Sequence, residues 1–270
     1  MKIRTAIAAC SIAGFAGYAA AGSAALDLSS YNHGQILSGS NLGGVTVDAD
    51  NYHNNADYLV IFDTTERGTR DGDLQGPSPL NGGWSTGNLA AGNTIVGNIL
   101  IIQEVDSNFA GYTDASMNQV LRPDDEGRRS GGSQTGAGEI TFSFDQQMQS
   151  FGFTLIDVEE TGEFNDKTGF FATFSGGGVT STVSFADFLD SSSSFYDPTV
   201  AFGNNSANRI KDITAEQLGL SSFDQVTINL GGSAGVGEVQ YTAVPTPGAA
   251  AGGLVLLGLI AARRRRRVRD

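Results

Sequence analysis

The sequence predicts an all-β protein, an antiparallel β-sandwich, and three observations carry that prediction. Apolar and polar residues alternate with period two at Ile140, Phe142 and Phe144, at Phe151, Phe153 and Leu155, at Val226, Ile228 and Leu230, and at Val239 and Tyr241. That is the pattern of strands with one buried face. Two continuous apolar runs, Leu59-Val60-Ile61-Phe62 and Ile99-Leu100-Ile101-Ile102, suit central strands covered on both sides. Clusters of Gly, Asn, Asp and Ser separate these segments, and 37 glycines in 270 residues do not suit a helical bundle.

In chain order, the first element is a signal peptide over residues 1–25. Lys2 and Arg4 form a positive n-region, Ala6 to Ala21 a small-residue apolar stretch, and Gly22-Ser23-Ala24-Ala25 a run suited to cleavage near Ala24 or Ala25. The protein is therefore expected to be exported. Ile7-Ala8-Ala9-Cys10 is a weak lipobox with too little apolar sequence before it. Cys10, the only cysteine, would leave with the leader, which excludes disulfides, thiolate metal sites and a cysteine nucleophile from the mature chain.

Residues 26–242 read as one β-sandwich domain, long enough for one sizeable core. Gly176-Gly177-Gly178 reads as a hairpin turn, as does Gly131-Gly132. A short helix is expected over Thr214–Leu220, where Thr214 and Gln217 can form a capping box and Gly219 lies near the end. Ser191 to Ser194 is a solvated loop, and residues 243–270 hold a linker, a hydrophobic segment and an Arg-rich tail.

That tail is the most specific statement in the sequence. Val244-Pro245-Thr246-Pro247 leads into an apolar run from Gly248 to Ala262, then Arg263, Arg264, Arg265, Arg266 and Arg267. The run partitions into lipid, and the arginines hold their end on the cytoplasmic side. In order and position, these parts resemble the C-terminal signal of the PEP-CTERM proteins, with Thr246 where that family has a glutamate. The resemblance implies export, transient anchoring in the membrane by a hydrophobic helix, and processing by an exosortase-like enzyme. A retained tail anchor is the other reading; against it, the run is shorter than the roughly 20 residues a relaxed spanning helix needs.

Charge narrows the partners. The full chain carries −13; removal of leader and tail leaves eight cationic and 28 acidic side chains, or −20. Such a field repels nucleic acid and attracts divalent cations. Carboxylates recur where strands end: Asp63 after Ile61-Phe62, Asp73 in Asp71-Gly72-Asp73-Leu74, Glu104 after the Ile99 run, Asp125 in Pro123-Asp124-Asp125-Glu126, and Asp157 in Asp157-Val158-Glu159-Glu160. In a sandwich, neighbouring strands can bring such ends to one rim, where oxygen ligands suit the six to eight positions of Ca²⁺. Those five acids are the expected ligands of a structural calcium ion, although acids at strand ends also serve as turn formers and solubilising charge. The ordered series from Asp63 to Glu160 resembles a β-sandwich module of secreted surface proteins, and that resemblance implies a jelly-roll-like fold.

Enzyme signatures are absent from the sequence. The Asp71-Gly72-Asp73 turn lacks the spacing of an EF-hand. His33 and His53 lie in Asn-rich stretches without a His partner at i+4, and no Gly-x-Ser-x-Gly elbow occurs. With so many acids, a carboxylate pair at glycosidase spacing discriminates nothing. The expectation is a non-enzymatic surface or matrix protein with a structural or adhesive role. The rival reading is a module for surface polysaccharide that stacks sugars on Trp84, Tyr112, Tyr196 or Tyr52, against which Trp84 in Asn81-Gly82-Gly83-Trp84-Ser85 gains by folding back over the core.

Overall fold

The computed structural model describes residues 22–52, 57–66, 71–78, 82–103, 123, 136–158 and 170–245. Ser23–Val244 form one compact unit. Among the described residues the protein is all-β: eleven antiparallel strands hydrogen-bond into one branched, open sheet. They are β1 (Ser23–Ala25), β2 (Ser40–Asn41), β3 (Val45–Asn51), β4 (Leu59–Asp63), β5 (Asn98–Ile102), β6 (Gly138–Ile156), β7 (Phe171–Gly176), β8 (Val179–Ser184), β9 (Ala207–Thr214), β10 (Phe223–Leu230) and β11 (Gly235–Ala243). The main path runs β4-β5-β11-β6-β10-β7-β8, with β1 on β11, β2 on β3, and β3 and β9 on β6.

The branch point is β6, whose 19 residues unite two stretches that the alternation marks as separate strands. Its first half pairs with β3 on one side and β10 on the other; its second half pairs with β9 and β11. Between them, exposed Asp145 and Gln146 interrupt the alternation, and the β10 ladder skips from Met148 to Ser143 opposite Phe223 and Gln225. The core-facing positions keep their parity through Met148 and change it before Phe151, from Ile140, Phe142, Phe144 and Met148 to Phe151, Phe153 and Leu155. Phe142 and Phe151 are nine residues apart, about 30 Å along an extended strand. Their ring centroids lie 5.4 Å apart. The strand is therefore folded back on itself, and its halves face each other through aromatic side chains.

Two apolar clusters result. The larger takes the inward faces of β3, β6, β7, β10 and β11, and Phe151 stands at its centre against Phe142, Phe144, Phe153 and Phe174. The smaller lies on the opposite face of β4 and β5, where Val60, Phe62, Ile99 and Ile101 meet Ile156, Ala207, Leu74 and Trp84. Leu59, Ile61, Leu100 and Ile102 join the larger cluster instead. The two continuous apolar runs are thus covered on both sides as expected; β5 lies between β4 and β11, whereas β4, expected to be central, stands at the end of the strand order.

Local chemistry sets the connections. Gly177 and Gly178 both adopt positive φ, 60° and 79°, and close the β7–β8 hairpin with the two-residue turn whose backbone twist matches that of the strands. The helix expected over Thr214–Leu220 is a single turn. The predicted capping bonds do form, Gln217 N–H to Thr214 Oγ1 at 3.2 Å and Thr214 N–H to Gln217 Oε1 at 3.0 Å. Gly219 at φ +70° then ends the turn before a second one can add to it. A 3-10 helix at Phe185–Phe188, not anticipated, is started by the same device, with Ser184 as cap and Asp187 returning the bond.

Because Phe151 contacts four other rings at the fold-back, Phe151→Ala should cost about 3–5 kcal/mol of stability. Urea unfolding followed by circular dichroism measures it; a loss under about 1 kcal/mol would show that the fold-back does not depend on this ring.

Candidate metal centre

Three strand ends that meet in register build the strongest polar constellation. Ile156, the last residue of β6, pairs with Ala207 of β9 and with Gly235 of β11. Asp157 follows Ile156, Asn205 precedes Ala207 by two residues, and Ser233 precedes Gly235 by two. Sheet register alone therefore carries all three to one edge. Asp71 and Asp73 reach the same place from the segment after β4, which Leu74 ties to the smaller core cluster.

One carboxylate oxygen from each of Asp71, Asp73 and Asp157 falls within 4.8 Å of the others. Asp157 is 3% exposed and holds a left-handed backbone at φ 55°. Asn205 is the clasp: its N–H donates to Asp157 Oδ1 (2.7 Å) and its side-chain amide to the Asp73 carbonyl (2.8 Å). Its Oδ1 accepts from the N–H of Ser85 (2.9 Å). Ser233 Oγ stands 3.4 Å from Asp71 Oδ2 and 3.5 Å from Asp157 Oδ2. Burial pushes the Asp71 carboxyl above the usual range, the neighbouring Asp73 adds to that rise, and the backbone N–H of Asp73 opposes it. Convergent acids of graded exposure beside the Ser233 hydroxyl form a donor set of the hard-oxygen type that could hold a cation such as Ca²⁺.

The remaining expected ligands fall differently. Asp63 lies outside the trio; its Oδ1 accepts from the N–H (2.9 Å) and hydroxyl (2.7 Å) of Thr65, a turn-forming role. Its own N–H donates to Nδ1 of His33 (2.9 Å), and burial lowers the pKa of that histidine against the pull of Glu66 and Asp63. Glu104 and Asp125 lie outside the described residues, as do Tyr112, His53, Gly131, Gly132, Thr246, Pro247 and Arg263–Arg267. Asp71 is the ligand candidate that sequence reasoning missed, although its turn was noted; the Asp-x-Asp spacing was the available signal. Asn205 and Ser233 gave none, because their proximity is long-range.

The aromatic residues separate as well. Trp84 is 5% exposed, donates its indole N–H to the Thr94 carbonyl (2.9 Å), and lies so close to Gly76 that a Cβ there would collide with the ring. It covers core and offers no platform. Tyr196 is 41% exposed beside a hollow of about 90 Å³ near Lys211 and Gln217, small against the ~300 Å³ of ordinary ligand pockets. In that hollow burial pulls Asp197 up, but the Lys211 ammonium, 2.7 Å away, and Thr199 carry it below its usual value. Tyr52 is 38% exposed, and its hydroxyl donates to Glu139 (2.8 Å) and accepts from the Asn229 amide (2.8 Å).

No protein-family model matches the chain, and no curated protein or solved structure is similar to it at a significant level. Among the described residues no helix is long and apolar enough to cross a membrane. Val244 and Pro245 follow β11 directly, and β1 occupies Ser23–Ala25, so the expected cleavage near Ala24 or Ala25 falls within a paired strand.

A carboxyl whose folded pKa is raised favours the folded state below its unfolded pKa, and loses that contribution as pH rises through the folded value. Asp71→Asn should therefore raise the melting temperature at pH 7 in chelator and leave it nearly unchanged at pH 3. Scanning calorimetry at both pH values checks this, and a variant less stable than the parent at pH 7 contradicts it.

Proposed function

We propose that the chain is an exported, non-enzymatic surface or extracellular-matrix protein with a structural or adhesive role, whose loops are pinned by a calcium ion at Asp71, Asp73 and Asp157. The observation that carries this reading is the convergence of those three carboxylates at the shared end of β6, β9 and β11. A divalent ion that binds only the folded state stabilises it by mass action and removes the repulsion among the acids. Asp73, the most exposed of the three, gives the ion access from solvent; buried Asp157 holds the fixed end of the site.

The finer architecture in this proposal is a jelly-roll-like sandwich. The fold-back of β6 supports it, since Phe142 and Phe151 meet across the interior between the two halves of the sheet. Export by the leader over residues 1–25 and sorting through Val244, Pro245, Thr246, Pro247 and Arg263–Arg267 complete the proposal, with the membrane and an exosortase-like enzyme as partners in transit. The resemblance of that tail to the PEP-CTERM signal is its support.

The test is thermal unfolding of the full-length protein in 1 mM CaCl₂ and in chelator, roughly, repeated with Asp73→Asn/Asp157→Asn. A melting temperature several degrees higher with calcium in the parent, on the order of that expected from 1–2 kcal/mol in a domain this size, and unchanged in the variant is the expected result. An equal response in both proteins removes the ion from these carboxylates.

A further inference from the structure

The outward face of the half-sheet β3-β6-β10-β7-β8 is in register across all five strands. Its central row reads Asp48–Thr141–Thr227–Thr173–Thr182, each residue the ladder partner of the next. The row beside it reads Thr46–Ser143–Gln225–Ser175–Thr180. From β6 to β8 neither row contains a charge, and none of the residues in these two rows is buried.

A solvated sheet face is ordinary in antiparallel proteins, but its usual covering is long and charged. Here a strongly acidic chain keeps its acids off the centre of one face and fills it with short hydroxyl side chains. Threonine is stiff at χ1, and cross-strand hydroxyl contacts of 3.1 Å join Thr141 to Thr227 and Thr173 to Thr182. The surface is therefore low in side-chain entropy before anything binds, which lowers the cost of ordering on contact.

The third row supplies aromatic groups. It reads Asp50–Glu139–Asn229–Phe171–Ser184, with Phe171 half-buried beside Asn229. Tyr52 reaches from the end of β3 to that same Asn229, and its two 2.8 Å bonds fix where its half-exposed ring lies. Aromatic groups thus border rows of groups that both donate and accept hydrogen bonds.

We propose that this face binds a neutral polysaccharide chain, with the hydroxyl rows bonding sugar hydroxyls and Tyr52 and Phe171 contacting the apolar faces of the rings. Sugar hydroxyls match the donor-and-acceptor character of the rows, and sugar rings match aromatic edges. From β6 to β8 the absence of charge along the two hydroxyl rows gives a charged polymer nothing to pair with, and Asp48, Asp50 and Glu139 along one margin repel polyanions. This assignment is independent of the cation reading, because the face shares no residue with the Asp71, Asp73 and Asp157 trio.

The experiment is native affinity electrophoresis of the full-length protein in gels cast with hydroxyethyl cellulose, xyloglucan, galactomannan or dextran, with alginate as the polyanion. Mobility in each gel is referred to a gel without polysaccharide. At least one neutral gel should retard the protein and alginate should not. Thr227→Glu and Thr182→Glu, separately, should each weaken that retardation at least about tenfold. Tyr52→Ala should weaken it too, while Gln149→Glu, an equal charge off the face, should not. Thr182 is exposed on the edge strand, so its variant should keep the parent circular dichroism spectrum even if Thr227→Glu does not fold. No retardation in any neutral gel, retardation by alginate alone, or retardation untouched by Thr182→Glu and Tyr52→Ala overturns the proposal.

Discussion

The structure depends on one strand being made to turn back across its own core. A 19-residue strand left straight would expose most of its apolar side chains, and the contact between Phe142 and Phe151 closes it. The physical device is modest: three polar residues, Asp145, Gln146 and Gln147, at which the ladder with β10 loses register, followed by a change of inward parity between Met148 and Phe151. Everything else hangs on the two halves. β3 and β10 read their register from the first, β9 and β11 from the second, and the hydroxyl rows and the acidic edge are respectively the outer face of one half and the terminal end of the other.

Much of this was legible residue by residue and little of it as connectivity. Period-two alternation found Ile140 to Phe144 and Phe151 to Leu155 because each inward side chain gains by burial. The same alternation could not show that they are one strand, since a polar break with a parity change also describes a loop between two. Leu59 to Phe62 and Ile99 to Ile102 were readable as doubly covered strands because a one-sided strand has no use for an unbroken apolar run. At Thr214 the local code was read correctly and the length was not: the caps formed, but Gly219 and the demand for Phe223 in the core left room for a single turn.

The candidate site shows where local reading ends. Asp73 and Asp157 were named because strand ends cluster in any sheet, and the structure brings them together; the same rule named Asp63, whose carboxylate accepts from Thr65 instead. What distinguishes them is which strands are neighbours, and that is settled by long-range pairing of β6 with β9 and β11. Trp84 illustrates the converse. Its Gly-rich surroundings suggest a loop, and they do form one, but Gly76 lets the indole press against a backbone and take its place in a core.

The position of β11 has a mechanical consequence. It is the last strand among the described residues, yet it lies within the sheet, paired with β6 along one side and with β5 and β1 along the other. Tension along the axis of this strand loads its bonds to β6 together, from Gly235 to Ala243, and on the other flank those to β5 at Val236 and Gly237, so they must slide as a group; β1 shares that load only while the leader remains attached. An edge strand pulled from its end would instead open one bond at a time, like a zipper. By this placement the body resists being pulled from its C-terminal side in shear, the direction in which a sheet is strongest.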